Sequence, residues 1–402
     1  MIEKEKLQPE LATPYLRLGM PSRIHPQVYS NSADVKLTLD SKKNNLLEQL
    51  EHLYQNIPFV ATTCLGTNHP AITTKQQPFD YCILDEAGQC LMLSALGPLF
   101  YAEKFVLVGD PQQLPPLVQS QAAKHKGMDI SLFSHLATKM ENIIPLTMQY
   151  RMNEKIQALA NHLTYNGRLE CGSEDVAKRT LSCMKMIQET TEPQWMIKLL
   201  DGSSTESSII FLNTDTLDNA METTCDLGLY NPGEGDIVQG ICKLFQNNIV
   251  SDTYHNDTKI IDEKKHNKIT IGVIAPYRAQ VMHLRGKLTA TNDTTVDVNT
   301  VDQFQGQDKD VIVYSCTRST PRKLMKTNEA QNSDRETKER GNIMCDERRL
   351  NVAITRAKCK LVILGNRRAL QSYEPFEKLI NFLQERENVF EIHSNDLGYL
   401  GM

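Results

Sequence analysis

The 402-residue sequence lacks the marks of several protein classes. Its 10 cysteines include no C-x-x-C pair, the usual spacing of a zinc ribbon or an iron–sulfur site. Its longest apolar runs, such as residues 360–365, are strand-sized and too short to cross a bilayer. The N-terminal residues contain no apolar core of a secretory signal. These absences predict a chain without a membrane partner, in a reducing cytosolic or nuclear compartment.

A phosphate-binding loop is also absent, because no G-x-x-x-x-G-K-[ST] sequence occurs in the 402 residues. A strongly basic composition is missing too, since the net charge is −5. That charge neither indicates nor excludes nucleic-acid binding, because a single strand can be held in a cleft whose local charge differs from the total. A content of 40% hydrophobic and 23% charged residues is typical of a soluble globular protein. The length of 402 residues is enough for two or three domains.

Apolar runs alternate with amphipathic stretches, and this predicts an α/β fold with parallel sheets covered on both faces. The predicted strands are residues 59–64, 81–84, 105–108, 143–147, 209–213, 270–275, 311–316 and 361–364. The predicted helices are residues 154–163, 235–245, 278–288, 347–353 and 375–386. Polar segments 214–234, 251–268 and 321–342 are expected to be solvated insertions. A boundary near Leu146 predicts a first domain over 1–145 and a second over 146–402.

Two carboxylates, Asp85 and Glu86, follow directly after the predicted strand 81–84. Ligands of open α/β sheets bind outside the carboxyl ends of the strands. There, Asp85 is suited to hold Mg²⁺ through water, and Glu86 to orient a water that attacks a γ-phosphate. By themselves two carboxylates after an apolar run are a weak signal, since most such pairs begin a solvated loop.

The next strand carries a second polar loop, Gly-Asp-Pro-Gln-Gln-Leu-Pro-Pro at 109–116. The glycine permits a tight turn, and the prolines stiffen the rest of the loop. Such a loop can direct Gln113, which both donates and accepts hydrogen bonds, towards a phosphate or its attacking water. Rigid loops at two successive strand ends favour a site over surface turns.

Two arginines and one polar turn complete the candidate residues. Arg151 lies in Gln-Tyr-Arg-Met at 149–152 and Arg356 in Arg-Leu-Asn-Val-Ala-Ile-Thr-Arg-Ala-Lys at 349–358. A guanidinium at a transferring phosphate contributes about 10³–10⁵ in rate. The turn Thr-Val-Asp-Gln-Phe-Gln-Gly-Gln-Asp at 300–308 offers hydroxyls and amides to a sugar–phosphate backbone, and Asp308 can accept from a ribose hydroxyl.

In this order, the segments 85–89, 109–116, 149–152, 300–308 and 349–358 resemble motifs II to VI of superfamily 1 helicases, in the branch of the nonsense-mediated-decay RNA helicase. Connecting stretches 15–19, 60–64, 163–173 and 274–278 resemble the eukaryotic replication helicase/nuclease family within that branch. The resemblance covers most of the chain.

The resemblance implies two RecA-like domains with ATP and Mg²⁺ between them and single-stranded DNA across their tops. It implies that Asp85 and Glu86 hold Mg²⁺ and orient the attacking water. It implies that Gln113, Arg151 and Arg356 sense the γ-phosphate. Gly306 and Asp308 would then bind the nucleotide near its ribose. It places Thr63, Thr300, Pro276 and Tyr277 along the DNA. It further implies 5′ to 3′ movement, RPA as a protein partner, a monomer, and a nuclear location with mitochondria as a second compartment.

This sequence departs from the family in lacking the phosphate loop expected upstream of Tyr15, and the nuclease domain with its iron–sulfur cluster. Losing three or four bonds to charged groups costs about 5–12 kcal/mol of nucleotide binding, so we expect little ATP hydrolysis by these residues alone. In RecA-like sheets the strand that leads into the phosphate loop is central, so without it the predicted strands 81–84 and 105–108 would have unpaired edges. We therefore expect 1–145 to fold poorly alone and 146–402 to form a complete second domain. Three alternatives remain open: the C-terminal portion of a helicase/nuclease, a binding module that does not hydrolyse ATP, and an RNA helicase of the same branch.

Overall fold

The computed structural model describes residues 15–32, 35, 54–138, 143–181, 192–248, 269–289, 296–321 and 343–401. The chain forms two compact units, residues 1–143 and 144–402. None of the helices in the described parts has the length and apolar character needed to cross a membrane.

In the part of the first unit that the structure describes, the strands form two separate parallel pairs. Its strands are β1 (Tyr15–Arg17), β2 (Phe59–Ala61), β3 (Phe79–Leu84) and β4 (Ala102–Leu107), its helices are α1 (Pro70–Thr73), α2 (Met92–Leu99), α3 (Gln121–His125) and α4 (Leu132–Ala137), and its 3-10 turns are Pro21–Arg23, Pro26–Asn31, Cys64–Asn68 and Ala87–Gln89. Strand β1 pairs with β2, and β3 with β4.

One face of the β3–β4 pair is open. Tyr81, Ile83 and Val106 are 57%, 64% and 44% exposed, although parallel sheets are normally covered on both sides. Because side chains alternate along a strand, Leu84 points the other way, and it packs in a small core with Ala87.

The second unit is built around one larger sheet. Its strands are β5 (Met148–Gln149), β6 (Glu170–Cys171), β7 (Ile209–Asn213), β8 (Thr223–Cys225), β9 (Gly228–Tyr230), β10 (Ile271–Ala275), β11 (Val296–Thr300), β12 (Lys309–Ser315), β13 (Ala357–Gly365) and β14 (Val389–Glu391). Its helices are α5 (Glu154–Ala160), α6 (Glu174–Ala177), α7 (Gln194–Leu200), α8 (Pro232–Asn247), α9 (Arg278–Thr289), α10 (Val301–Phe304), α11 (Glu347–Ile354), α12 (Arg367–Leu370) and α13 (Glu374–Gln384), with a π-helix at Asn161–Tyr165 and 3-10 turns at Thr205–Ser207 and Ser394–Leu400.

The six-stranded sheet has the order β11-β10-β12-β13-β7-β14, and every neighbouring pair is parallel. Every residue of β7 and β10 is buried, which explains why these strands read as continuous apolar runs. The predicted α/β class with parallel sheets is confirmed. The predicted strand 209–213 matches β7 at both ends.

Two expectations are wrong. Residues 143–147 form no strand, and Ile144 and Leu146 are 85% and 81% exposed, because strand pairing begins only at β5. Segment 214–234 is not a solvated insertion, since it contains the β8–β9 hairpin and the fully buried Glu234. The predicted insertion 251–268 lies outside the described residues, as does nearly all of 321–342.

Candidate active-site residues

In the first unit, the loops after β3 and β4 lie against each other. The Val108 N–H donates to the Leu84 carbonyl at 2.9 Å, and the Ala87 N–H donates to the Val108 carbonyl at 2.8 Å. A Cβ added at Gly109 would lie 3.0 Å from the backbone nitrogen of Gly88. A side chain would therefore force the two loops apart, which gives Gly109 its function in the turn.

The carboxylates Asp85 and Glu86 form an exposed turn. Glu86 has φ 50° and ψ 37°, a left-handed conformation that is uncommon for a residue with a side chain. Asp85 Oδ1 accepts the Glu86 N–H at 2.9 Å, and Glu86 Oε2 accepts from Gln89 Nε2 at 2.7 Å. These bonds hold both carboxylates at the end of β3, where the sequence places them.

Gln113 is oriented by a residue that the sequence interpretation missed, Asp110. The Asp110 carboxylate accepts from Gln113 Nε2 at 3.1 Å and from the Gln112 N–H at 2.8 Å. An aspartate that bonds to the backbone two residues later is a common turn signal, and Asp110 has that spacing to Gln112. Leu114 and Pro116, both buried, fix the rest of the loop.

Thr63 lies on another surface turn of the first unit. Its side chain is exposed, and its carbonyl accepts the Gly66 N–H at 2.9 Å at the start of the 3-10 turn Cys64–Asn68. The Thr67 hydroxyl donates to the Cys64 carbonyl at 2.9 Å and tightens the turn.

In the second unit, Gln149 shapes the loop that presents Arg151. Gln149 Oε1 accepts the N–H groups of Arg151 and Met152 at 2.9 and 2.8 Å, while its Nε2 donates to Gln157 Oε1 at 2.9 Å. Arg179 Nη1 donates to the Arg151 carbonyl at 2.9 Å. These bonds fix the Arg151 backbone on both sides and so restrict the positions that its guanidinium can reach.

Asp308 is the acidic partner of two basic groups. Arg151 Nε lies 3.5 Å from Asp308 Oδ2, and Lys358 Nζ lies 2.6 Å from Asp308 Oδ1. Burial on its own would raise the pKa of Asp308, but the bonds to Lys358 and Arg151 and their charges outweigh it, so the pKa lies below its usual value. Lys358 was missed, although it stands two residues after Arg356.

Arg356 is 1% exposed. Its Nε donates to the Val352 carbonyl at 2.9 Å, its Nη1 to the Gln307 carbonyl at 3.3 Å, and its Nη2 to the Thr355 hydroxyl at 3.0 Å. Arg151 Nη1 donates to the Thr355 carbonyl at 3.3 Å. The structure therefore brings Arg151 and Arg356 together at Thr355.

The candidate residues of the second unit lie at opposite edges of the sheet. Asp308 directly precedes β12 and Arg356 directly precedes β13, so both mark the amino edge. Gly306, exposed with φ +79°, lies in the turn before Asp308. Thr300 ends β11 and Pro276 follows β10, so these two mark the carboxyl edge.

At the carboxyl edge, the side chains of Thr300 and Tyr277 make hydrogen bonds within the protein. The Thr300 hydroxyl accepts the Gln303 N–H at 3.4 Å and begins α10. Tyr277 is only 4% exposed, its hydroxyl accepts from Arg318 Nε at 2.8 Å, and the Arg318 guanidinium carbon lies 5.4 Å from its ring centroid. Arg318 is also paired with Glu222 at 3.3 Å. This differs from the expectation that Tyr277 faces DNA: the Arg318 contacts bury its ring.

A buried carboxyl group, Glu234, lies below that edge and was missed. Its Oε2 accepts from the Ser315 hydroxyl at 2.6 Å and from the Thr317 N–H at 2.9 Å, and Gln280 Nε2 donates to the Ser315 hydroxyl at 2.9 Å. Burial raises the pKa of Glu234 to about 8 despite those donors. Thr317 has φ 71°, a strained conformation for a β-branched residue. The surrounding sequence is polar, so no apolar pattern marks this core.

A buried amine, Lys360, was also missed. Its Nζ donates to the carbonyls of Lys198, Leu199 and Asp201 at 2.7, 2.7 and 2.9 Å, at the end of α7. Burial lowers the pKa of Lys360 to about 7, against the raising effect of the Asp201 charge. Lys360 therefore acts as a structural cap.

Comparisons with known proteins place the chain in a family. A family model described as an AAA domain matches residues 128–368, and a second with the same description matches residues 22–121. The chain belongs to the AAA-domain helicases of superfamily 1. This confirms the predicted resemblance and, with the six-stranded parallel sheet, the RecA-like fold class.

Relatives extend along nearly the whole chain. The DNA replication ATP-dependent helicase/nuclease DNA2 of Xenopus laevis is 39% identical over 94% of this chain and 33% of its own length. The Homo sapiens protein of the same name is 36% identical over 95% of the chain and 33% of its own length, and the Saccharomyces cerevisiae one 32% over 93% and 22%. The chain thus spans a third or less of the length of these relatives.

Among solved structures, the PRRSV helicase is 13% identical with a TM-score of 0.33, and the match covers 92% of this chain and 51% of that one. The arterivirus nonstructural protein 10 helicase in complex with DNA is 12% identical with a TM-score of 0.33, and the match covers 95% and 59% of the two chains.

Proposed function

We propose that the chain supplies helicase-core residues of an ATP-dependent enzyme that moves 5′ to 3′ on single-stranded DNA. The observation that carries this proposal is the pair of guanidinium groups, Arg151 and Arg356, fixed on Thr355 in the second unit. A binding module that does not use nucleotide has no need for two arginines arranged in this way. The replication role of the named relatives favours DNA over RNA.

In the second unit, Arg151 and Arg356 would stabilise the charge that develops on a transferring phosphoryl group. The Arg151 side chain is 34% exposed, so it is the more accessible of the two. Asp308 keeps its negative charge because Lys358 and Arg151 lower its pKa, and an ionised carboxylate accepts well from a sugar hydroxyl. Gly306, exposed and without a side chain, lets a nucleotide approach the backbone beside it.

In the first unit, Asp85, Glu86 and Gln113 fit a magnesium–nucleotide complex. Mg²⁺ usually takes one or two protein carboxylates and fills its other positions with water and phosphate. Within the described residues no group of three or more His, Cys, Asp or Glu could form a metal cage, and an exposed Asp85–Glu86 turn suits that looser arrangement. Asp85 would hold the ion through water and Glu86 would orient the attacking water. When bound, the ion neutralises phosphate charge.

For the nucleic acid, exposed Thr63 in the first unit and half-buried Thr300 and Pro276 in the second are the proposed contacts. Hydroxyl and backbone groups of this kind bind phosphates without reading bases. Tyr277 instead holds the turn after β10 in place through Arg318. We further propose that the protein acts as a monomer with RPA as a partner, in the nucleus and in mitochondria.

These 402 residues in isolation are proposed to hydrolyse ATP poorly, because they contain no G-x-x-x-x-G-K-[ST] loop. That loop provides several backbone N–H groups and a lysine for the phosphates. We also propose that 1–145 is a partial first domain and that 146–402 forms a complete second domain. The exposed Tyr81 and Ile83 on the open β3–β4 face support the first part of this proposal, since a face of a parallel sheet is normally covered.

A chimera tests this function directly. This chain would replace the aligned third of the Xenopus laevis DNA2 protein, which then supplies the remaining sequence. We expect the chimera to hydrolyse ATP in response to single-stranded DNA, and the isolated chain to show no stimulated turnover. Arg151→Ala or Arg356→Ala should each lower the chimera's stimulated kcat by about 10³-fold.

The matched control is Arg348→Ala, which removes an exposed arginine from α11, the helix that Thr355 caps, and should leave turnover unchanged. A folded chimera that binds single-stranded DNA but never hydrolyses ATP would favour a binding module. Equal or greater stimulation by single-stranded RNA would favour an RNA helicase.

A further inference from the structure

Two cysteines of the first unit are in direct contact. Cys64 Sγ and Cys90 Sγ lie 3.7 Å apart, although the residues are 26 positions apart in the sequence. A disulfide needs about 2.05 Å between the sulfurs, so the two thiols must move closer before they can bond. Neither cysteine is disulfide-bonded.

Both sulfurs lie at functional turns. Cys90 ends the 3-10 turn Ala87–Gln89 that follows Glu86, and its N–H donates to the Ala87 carbonyl at 3.4 Å. Cys64 begins the 3-10 turn that follows Thr63. A bond between the two would therefore join the turn of the candidate water-orienting carboxylate to a candidate DNA-contact turn.

We propose that Cys64 and Cys90 form an oxidisable dithiol whose disulfide locks these two turns together. The oxidant belongs to the class of peroxides. One thiolate attacks a peroxide oxygen, which leaves a sulfenic acid and releases hydroxide. The second sulfur then attacks the sulfenic sulfur, the S–S bond forms and the oxygen leaves as water. Two thiols and one hydrogen peroxide thus give one disulfide and two waters.

The surroundings set the speed of this reaction. Both cysteines are half-buried and pack against the core that contains Leu84 and Ala95. Burial, the hydrogen bond to Cys64 and its charge together raise the pKa of Cys90 to about 11. Since only the thiolate attacks peroxide, oxidation that begins at Cys90 is slow at neutral pH and accelerates as pH rises towards that value.

The test uses the 402-residue chain with hydrogen peroxide, followed by blocking of free thiols and mass spectrometry of the digest. We expect a peptide pair linked through Cys64 and Cys90, and its loss in Cys64→Ser and in Cys90→Ser. Cys82→Ser is the matched control, because Cys82 is half-buried in β3 and should not be required for the link. A link that includes Cys82, or oxidation of single thiols to sulfinic acid without a link, would overturn the proposal.

Hydrogen exchange on the same samples tests the lock. Oxidation should slow amide exchange at residues 63–68 and 86–90 at least several-fold and leave the second unit unchanged. Unaltered exchange in both segments would contradict it. The importance of the lock for hydrolysis rests on the function proposed above, but neither measurement uses nucleotide or DNA. A failed link therefore leaves the helicase proposal standing, and an inactive chimera leaves the dithiol standing.

Discussion

Arg151 and Arg356 share one residue, since Arg151 donates to the carbonyl of Thr355 at 3.3 Å and Arg356 to its hydroxyl at 3.0 Å. The Thr355 hydroxyl also donates to the Asn351 carbonyl at 2.7 Å, at the C-terminal end of α11. One side chain thus positions a buried guanidinium, while its backbone positions the more exposed one.

Thr355→Val tests that arrangement. Valine keeps the shape and the backbone carbonyl but removes the hydroxyl that accepts from Arg356. Losing a hydrogen bond to a charged group costs about 1.5–3 kcal/mol, so DNA-stimulated turnover of the chimera should fall about 10- to 100-fold. Thr355→Ser restores the acceptor and should keep most of the activity. Equal activity of the valine and serine variants would show that the hydroxyl does not matter.

Lys360 predicts a stability that rises with pH. Between about 7 and its unfolded value of 10.5 the unfolded chain holds a proton that the folded chain does not, so the free energy of unfolding increases with pH in this window. Lys360→Met should remove the rise and destabilise the second unit by about 2–4 kcal/mol, because three carbonyls lose their donor. Urea unfolding from pH 7 to 10 measures both effects. The exposed Lys243→Met serves as control, and a variant as stable as the parent would refute the cap.

Glu234 predicts the opposite slope at lower pH. Its folded pKa of about 8 lies above the unfolded value of 4.5, so the folded chain holds the extra proton between these values and stability falls as pH rises through them. Glu234→Gln keeps an acceptor for Ser315 and Thr317 and should flatten the dependence. Urea midpoints at pH 5 and 8 report it, with the exposed Glu377→Gln as control. A glutamine variant with the parent's slope would assign the titration to another group.

Tyr277→Phe should weaken the carboxyl edge of the sheet. The change removes the acceptor of Arg318 Nε while the ring remains, and a buried donor without a partner costs about 1–3 kcal/mol. We expect a lower urea midpoint and weaker oligo-dT binding by fluorescence anisotropy. Tyr29→Phe, at a residue 44% exposed, should change neither. Weaker DNA binding with unchanged stability would instead indicate direct contact by the hydroxyl.

Much of the sheet could be predicted because its central strands are buried on both faces. Strands β7 and β10 have no exposed residue and so give unbroken apolar runs. The edge strand β11 was missed because Asp297 and Asn299 interrupt its pattern, and an edge strand pairs on one side only. Residues 143–147 have an apolar sequence but pair with no strand in the described parts of the chain, so the strand predicted from their composition was wrong.

For the candidate site, short motifs located the loops but not their supports. Arg151 and Arg356 were identified from the sequence, whereas Lys358 and Thr355, which contact Asp308 and both arginines, emerge only from three-dimensional proximity. Tyr277 shows the reverse case, since a motif position marked as a contact turned out to be covered by Arg318. Motif position therefore pointed to these residues, and the packing around each one shows which contacts its side chain makes.

Strand β12 joins the two edges of the large sheet, from Asp308 at one end to Thr317 just beyond the other. Its seven residues span about 23 Å, and an extended backbone resists stretching, so the strand behaves as a stiff rod. Because Asp308 and Thr317 flank its two ends, a displacement of β12 along its axis would move both of them, and Arg318 beside Thr317. Such a displacement would also have to shear the hydrogen bonds that join β12 to β10 and β13, which makes the strand's position in the sheet a constraint shared by both edges.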